Sequence, residues 1–308
     1  MPLITQSILK VVVYFNLFDY PVTAEEIHSF LDHPFKETEV KSTLAQLVFD
    51  GELFLLGKFY SVRNDMLLAH KREVSNNAAV KEIERAKKIA KFLYQFPFVR
   101  GVGISGSLSK NCASESSDLD FFIITKANRL WIARSILFIY YRLAKPVQER
   151  RQICLNYFID EEALEIADKN FYTSMEVVTL IPCEGPATMQ DFFKANAWMH
   201  TFFPNRQTTS LIPKTVGKLP KKITEALLDN ALGNYIDSRS MQYFKKRWKQ
   251  LFDRRIYTAN GNRSGAYNAE KHYCKQMPGF LQKKILDKFD ASLTSVQQRK
   301  GEAVLEDK

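Results

Sequence analysis

The feature that most constrains this chain is a pair of short apolar segments joined by a polar loop. The first segment, Val99–Ile104, leads into Gly106 and Ser107, and the second occupies residues 121–124. Short apolar runs bounded by turn residues are typical of buried β-strands. The tripeptide Asp-Leu-Asp at 118–120 directly precedes the second run. The sequence therefore predicts two strands, with a glycine turn after the first and two carboxylates at the start of the second.

The two aspartates, Asp118 and Asp120, are expected to point to the same face, because side chains alternate along a strand. Carboxylates about 7 Å apart on one face repel each other, and a cation between them favours ionisation of both. Mg²⁺ is typically held by a small number of carboxylates together with substrate phosphates. Gly106 lets the backbone approach such a ligand, and Ser107 offers a hydroxyl and an N–H to phosphate oxygens. A helix beginning near Leu108 would direct its N-terminal amides to the same phosphates.

The Gly-Ser pair, the spacer of ten residues and the Asp-x-Asp motif resemble the signature of the DNA polymerase beta-like nucleotidyltransferase superfamily, over roughly residues 80–165. The resemblance implies an α+β fold with a small mixed sheet and helices. It also implies a Mg²⁺-dependent enzyme that moves a nucleoside monophosphate from a nucleoside triphosphate to a hydroxyl and releases pyrophosphate, with a two-metal site. By this resemblance Asp118 and Asp120 are catalytic metal ligands. The nucleotide-binding residues are then Gly106, Ser107, Ser109 and Lys110.

The resemblance further implies a third carboxylate on a later strand, where it activates the attacking hydroxyl. The segment after a helix at roughly residues 129–144 predicts that strand at residues 153–159. Its middle position holds Asn156, a poorer metal ligand, whereas Asp160 lies on the same face one repeat further on. Strand register read from sequence is uncertain by about two residues, so both alternatives stay open. Either Asp160 is the third catalytic carboxylate, or Asn156 occupies its position and transfer is slow or absent. Glu176 is a weaker candidate, for which we favour a surface or capping position.

Residues 1–64 are expected to form a separate domain that resembles a winged helix. Three amphipathic helices are predicted, the second of them started by a capping box between Thr23 and Glu26. Two short strands follow, with Gly57 at their turn. Residues 1–63 contain five basic and eight acidic side chains. A duplex binder must neutralise phosphates, so we do not expect DNA binding by this domain and favour a packing or protein-contact role.

The net charge of +10 lies entirely in the last third of the chain. Residues 1–213 hold 24 basic and 24 acidic side chains, out of totals of 44 and 34. Residues 65–185 are expected to form the nucleotidyltransferase-like domain, and residues 186–308 a basic, mainly helical C-terminal domain. Basic and aromatic residues interleave around Phe244 and Trp248, which is compatible with RNA or another polyanion as a partner. We favour an amphipathic helix that packs on the catalytic domain.

Four scattered cysteines show neither metal-ligand spacing nor a disulfide framework, which favours a cytoplasmic location. The apolar runs are too short to span a bilayer, and no membrane association is expected. Two functions remain open. The first is the nucleotidyltransferase described above, and the second is a catalytically weak or inactive relative that acts as a nucleotide-sensing, regulatory or scaffolding winged-helix module. The sequence names neither the nucleotide nor the acceptor.

Overall fold

The structure is a computed structural model that describes residues 1–114, 117–144, 153–208, 216–256, 268–275 and 279–306. Its elements are mixed helices and strands, as expected for an α+β chain. The helices are α1 (Leu3–Asn16), α2 (Ala24–Ser29), α3 (Glu37–Phe49), α4 (Met66–Leu93), α5 (Leu130–Ala144), α6 (Phe171–Val178), α7 (Pro186–Ala195), α8 (Leu219–Leu228), α9 (Ala231–Ile256) and α10 (Gly279–Glu306). The strands are β1 (Phe54–Leu56), β2 (Phe59–Ser61), β3 (Val99–Ile104), β4 (Leu119–Thr125), β5 (Ile153–Asp160), β6 (Ile181–Glu184), β7 (Asn268–Ala269) and β8 (Tyr273–Lys275).

The N-terminal segment contains three helices followed by an antiparallel hairpin, in the predicted order. The capping box at the start of α2 is confirmed, because Thr23 Oγ1 accepts from the Glu26 amide and the Glu26 carboxylate accepts from the Thr23 amide. A single antiparallel bridge between Val22 and Tyr60 adds a third short extended segment beside β1 and β2. The linker between α1 and α2 is thereby held against the hairpin.

The central sheet has six strands in the order β6-β3-β4-β5-β8-β7. Strands β4 and β5 are parallel, and all other neighbours are antiparallel, so the sheet is mixed. Parallel neighbours need a long crossover, and α5 lies in the connection between β4 and β5. The C-terminal third was expected to be mainly helical, yet it also supplies β7 and β8. These strands are two and three residues long, too short for side-chain alternation to reveal them in the sequence.

Both faces of the sheet are buried, each against a different set of helices. One face carries Phe121, Ile123 and Phe158, which pack with α4, α5 and α9. Phe244 and Trp248 of α9 are buried there against Trp131 of α5, so the predicted packing of this helix is confirmed. The side chains of residues 251–256 lie outside the described set.

The other face shares one hydrophobic cluster with the N-terminal helices. Phe122, Ile124 and Ile159 of the sheet belong to the same cluster as the buried residues of α1, α2 and α3. The N-terminal segment is joined to the sheet through this cluster, in which Tyr14 contacts Phe171 and Phe289 and Phe122 contacts Phe192. Among the described residues, no helix combines the length and the apolar character needed to cross a membrane.

Candidate active site

The turn after β3 is shaped by Gly106, which lies against an acidic side chain. Its φ of +70° is in the left-handed region that favours glycine. A Cβ atom at this position would lie 2.3 Å from Oδ2 of Asp120. The backbone is fixed at the same place, because the Ser105 amide donates to the carbonyl oxygen of Asp120 over 2.9 Å. Glycine is thus required at 106 for the turn and the Asp120 carboxylate to lie side by side.

The loop that follows is stabilised by its own polar side chains. The expected helix near Leu108 is a single 3-10 turn, Leu108–Lys110, because Asn111 adopts a left-handed conformation with φ of 57° and ends it. Ser109 is buried, and its hydroxyl donates to the Gly106 carbonyl over 2.8 Å. Lys110 Nζ donates to the same carbonyl over 3.1 Å. The Ser107 side chain is exposed, so Ser107 is open to a ligand while Ser109 holds the loop.

The two aspartates differ in exposure and are electrostatically coupled. Asp118 is exposed, whereas Asp120 is largely buried at the start of β4. Burial raises the pKa of Asp120 to about 6, and the neighbouring carboxylates of Asp118 and Glu176 act in the same direction. Within the described part of the chain neither aspartate forms an ion pair. The pair is therefore a concentration of negative charge that no guanidinium or ammonium group of the described residues contacts directly.

Glu176 on α6 is the acidic residue that sequence reasoning underestimated. Its carboxylate pairs with Lys110 Nζ at 2.8 Å, which joins α6 to the loop after Gly106. It also lies close enough to Asp120 to raise the pKa of that carboxyl. The signal was present in the sequence, since Glu176 is the single charged residue in an otherwise apolar and hydroxyl-bearing helix. The structure thus brings Asp118, Asp120 and Glu176 to one site.

The residue opposite Asp120 on β5 is Cys154. The register pairs Asp120 with Cys154 and Phe121 with Leu155, then shifts so that Phe122 pairs with Tyr157. This irregularity leaves Asn156 without a partner on β4, as the extra residue of a β-bulge does. Burial and the adjacent Asp120 raise the pKa of Cys154 to about 12, so its thiol stays protonated and hydrogen-bonds to the aspartate. The register therefore places a thiol opposite Asp120 on this strand, while Asn156 lines the neighbouring cavity together with Ser105 and Glu176.

The structure separates Asp160 from the acidic pair. Asp160 pairs with Thr125 at the far end of β4, five residues from Asp120 and therefore roughly 16 Å along the strand. It is fully buried and accepts hydrogen bonds from the amides of Asn128 and Glu162 at 2.8 and 3.0 Å. His272 Nδ1 lies 3.0 Å from the same carboxylate. Asp160 thus holds the turns at the opposite end of the sheet, which corrects its placement as the third carboxylate of the site.

A cavity of about 340 Å³ adjoins the acidic residues on the face of Phe122. Ser105, Asn156 and Glu176 form the part of its wall nearest Asp120. Much of the remaining wall is aromatic. The aromatic residues are Phe122, Tyr157, Tyr172, Phe192 and Tyr273.

The donor set fits a divalent cation that is shared with a ligand. Asp118 and Asp120 offer hard oxygen atoms, and burial together with the neighbouring carboxylates raises the pKa of Asp120 although Lys110 acts in the opposite direction. Over the described ranges, no group of three or more His, Cys, Asp or Glu side chains is arranged to hold a metal by itself. A cation bound here would therefore need further oxygen ligands, such as those of a phosphate chain.

Comparisons with known proteins agree with this geometry for the central part of the chain. Neither the curated proteins nor the solved structures gave a match. One family model does match, and its range contains the Gly106 turn, the acidic pair and Glu176. Residues 83–181 are accordingly identified as a nucleotidyltransferase domain.

Proposed function

We propose that the protein is a Mg²⁺-dependent nucleotidyltransferase that moves a nucleoside monophosphate from a nucleoside triphosphate to a hydroxyl of an acceptor. The observation that carries this proposal is the Asp118–Asp120 pair held against the Gly106 turn. Two acids of which one has a pKa of about 6, with no cationic partner in the described chain, form a site suited to a divalent cation. The nucleotidyltransferase domain supplies the class of reaction.

Each residue of the site is assigned a role in this reaction. Asp118 and Asp120 would hold Mg²⁺ together with the triphosphate, and Mg²⁺ would supply charge neutralisation on the phosphate oxygens. The Gly106 backbone and the Ser107 hydroxyl would contact the phosphate chain, and Lys110 would add positive charge. Ser109 is assigned a positioning role, because its hydroxyl is directed to the Gly106 carbonyl.

The transfer itself is an in-line displacement. The acceptor oxygen forms a bond to the α-phosphorus, and the bond from that phosphorus to the oxygen bridging to the β-phosphate breaks. Pyrophosphate leaves with the electron pair, and the hydroxyl proton passes to a carboxylate of the site. Glu176 is the candidate third carboxylate, because it is the additional acid next to Asp120.

A second function is favoured by the identity of Cys154. A protonated thiol stands opposite Asp120, and a thiol is neither a base nor a ligand for Mg²⁺. Glu176 is in addition paired with Lys110. A nucleotide would then bind without efficient transfer, and the protein would act as a nucleotide-sensing, regulatory or scaffolding module.

The deciding experiment is label transfer from each α-labelled nucleoside triphosphate with Mg²⁺ or Mn²⁺, in the presence of cell RNA, protein and metabolites. The proposal expects transfer by the parent, none by the Asp118→Asn, Asp120→Asn double variant, and transfer by Asp160→Asn as the matched control. Calorimetry with Mg²⁺ and ATP, GTP, CTP or UTP separates the two functions. Tight binding without transfer supports the sensing module, and equal binding by parent and double variant contradicts the site.

We further propose that the N-terminal segment is a winged helix used for protein contact, and that α9 contributes a surface for RNA or another polyanion. The helix order and the Val22–Tyr60 bridge support the first assignment. Exposed Lys246 and Lys249 support the second. Charge reversal at Lys246 and Lys249 is expected to weaken binding of single-stranded RNA and to reduce its salt dependence. Unchanged binding in a filter assay would remove α9 from the surface.

A further inference from the structure

The cavity beside the acidic pair has the size and lining of a small-molecule site. Its volume of about 340 Å³ is near the lower end of the range of roughly 300–1,000 Å³ that such sites occupy. Phe122, Tyr157 and Phe192 form apolar wall, and Phe122 is in ring contact with each of the other two. A site of this kind fits a flat or compact apolar body.

Two hydroxyl groups of the cavity wall have no partner. Ser105 Oγ and Thr173 Oγ1 are both buried and form no hydrogen bond with any described residue. Thr173 is only 6 % exposed, so bulk water does not replace the missing partner. A buried polar group without a hydrogen bond costs roughly 1–3 kcal/mol, which a polar occupant of the cavity would recover.

Among the described residues that line the cavity, Lys275 is the one basic side chain, and the carboxylates of Asp168 and Glu176 lie close enough to favour its charged form. Its closest hydrogen-bond partner is Gln282 Oε1 at 3.5 Å, its ammonium lies 5.7 Å from the centroid of the Tyr157 ring, and it makes no ion pair with the described residues. Burial lowers the pKa of Lys275 despite the acids nearby.

The acidic side chains of the wall either form ion pairs or are exposed to solvent. Glu176 is paired with Lys110, and Glu165 is paired with Lys169. The remaining acid, Asp168, is exposed to solvent. An anionic group of a ligand would therefore gain most by contacting Lys275.

Three residues of this wall, Phe192, Tyr273 and Lys275, lie outside the nucleotidyltransferase match. Tyr273 and Lys275 belong to β8, which pairs with β5 through the Tyr157–Lys275 and Ile159–Tyr273 positions. The C-terminal third of the chain thus completes a cavity whose wall also contains Ser105 and Glu176, two neighbours of Asp120. Tyr273 and Lys275 are therefore placed where they could select the second substrate.

We propose that this cavity is the acceptor site and that it takes a small aromatic acid bearing a hydroxyl. The acid group contacts Lys275, the ring packs among the aromatic side chains, and the hydroxyl points toward Asp120. This inference rests on the proposed transfer reaction, whose acceptor it assigns to a chemical class. RNA would then bind elsewhere on the protein or not at all.

The test is calorimetry on the full chain with three phenols that differ in charge: hydroxyphenylpropionate, tyrosine and tyramine. The anionic hydroxyphenylpropionate is expected to bind the parent, and the cationic tyramine to bind at least about ten-fold more weakly, because only the former pairs with Lys275. Lys275→Met should weaken binding of the anion about ten-fold or more, with the exposed Lys271→Met as matched control. Thr173→Val should weaken the same phenol severalfold, and it provides an independent variant should Lys275→Met not fold.

Three outcomes would overturn the proposal: tyramine binding as tightly as the anion, no effect of Lys275→Met or Thr173→Val, or no binding of any of the three phenols. Binding of Mg²⁺ and nucleoside triphosphate is measured on the same samples. If nucleotide binds in an Asp118- and Asp120-dependent manner and the phenols do not, the acceptor assignment alone fails. If the phenols bind as expected and nucleotide does not, the transfer reaction fails and the cavity is a phenol-binding site without an acceptor role.

Discussion

Replacing Asp120 by asparagine is expected to stabilise the ligand-free protein at neutral pH while it removes a carboxylate that we propose as a Mg²⁺ ligand. In the folded protein burial and two neighbouring carboxylates raise the pKa of Asp120 from 3.8 to about 6. The fold therefore binds a proton at this site more tightly than the unfolded chain does. Because the pKa is raised, the contribution to stability is full below about pH 4 and is lost as the pH rises through about 6.

The size of this effect follows from the two pKa values. A ten-fold difference in proton affinity corresponds to about 1.36 kcal/mol, so the ionised carboxylate costs at most about 3 kcal/mol at pH 8 and about 1.5 kcal/mol at pH 5. Asparagine has nearly the same shape and cannot ionise. It also keeps an oxygen that accepts from the Cys154 thiol. Asp120→Asn should therefore raise the free energy of unfolding by an amount that grows with pH between these limits.

Urea unfolding of the parent and the variant at several pH values from 5 to 8 measures the difference. Asp287→Asn, an exposed position on α10, is the matched control and should change stability little at any pH. Saturating Mg²⁺ with nucleoside triphosphate should stabilise the parent but not Asp120→Asn, because only the parent binds it tightly. Two results would contradict this reasoning: a destabilising effect of Asp120→Asn at pH 8, or an effect that does not change with pH. Either would mean that the Asp120 carboxylate has a stabilising partner besides the contacts described above.

Three further predictions concern the turn, the far end of the sheet and the N-terminal contact. Gly106→Ala should destabilise the fold by roughly 1–2 kcal/mol through the left-handed backbone alone, and should weaken nucleotide binding in calorimetry by displacing the Asp120 carboxylate; unchanged affinity would contradict the close approach. Asp160→Asn should lower the free energy of unfolding by about 2–3 kcal/mol in urea, because buried amides lose a charged acceptor, and should leave the affinity for Mg²⁺ with nucleotide unchanged; a loss of affinity would return Asp160 to the site. Tyr20→Phe should cost about 1 kcal/mol in the same assay, since its hydroxyl donates to the Lys110 carbonyl over 2.6 Å; no change would show that this hydrogen bond does not hold the loop.

The local part of the site was predictable because short sequence spacing fixes it. Gly106 follows β3, and Asp120 lies at the start of β4. The sequence shows the glycine turn and the two alternating acids within fifteen residues, so their proximity can be predicted without any contact between distant parts of the chain. The helices of the N-terminal segment were predictable for the same reason, from apolar spacing and the Thr23 capping box.

The rest of the site depends on contacts that local patterns do not encode. The register places Cys154 opposite Asp120, and the bulge then leaves Asn156 without a partner on β4, which no periodic signal in the sequence reveals. Glu176 reaches the site because α6 packs beside the loop of Lys110, sixty-six positions earlier in the chain. Lys275 reaches it through a strand of three residues that pairs with β5.

The single hydrophobic cluster that joins the first three helices to the sheet has a practical consequence for anyone who wishes to isolate the nucleotidyltransferase domain. A fragment cut at residues 83 and 181 would leave Phe122, Ile124 and Ile159 facing water and β5 without its neighbour β8. Such a fragment is expected to aggregate, because bare apolar surface and a free strand edge both promote self-association. The range matched by the family model, residues 83–181, is therefore shorter than the segment that we expect to fold on its own.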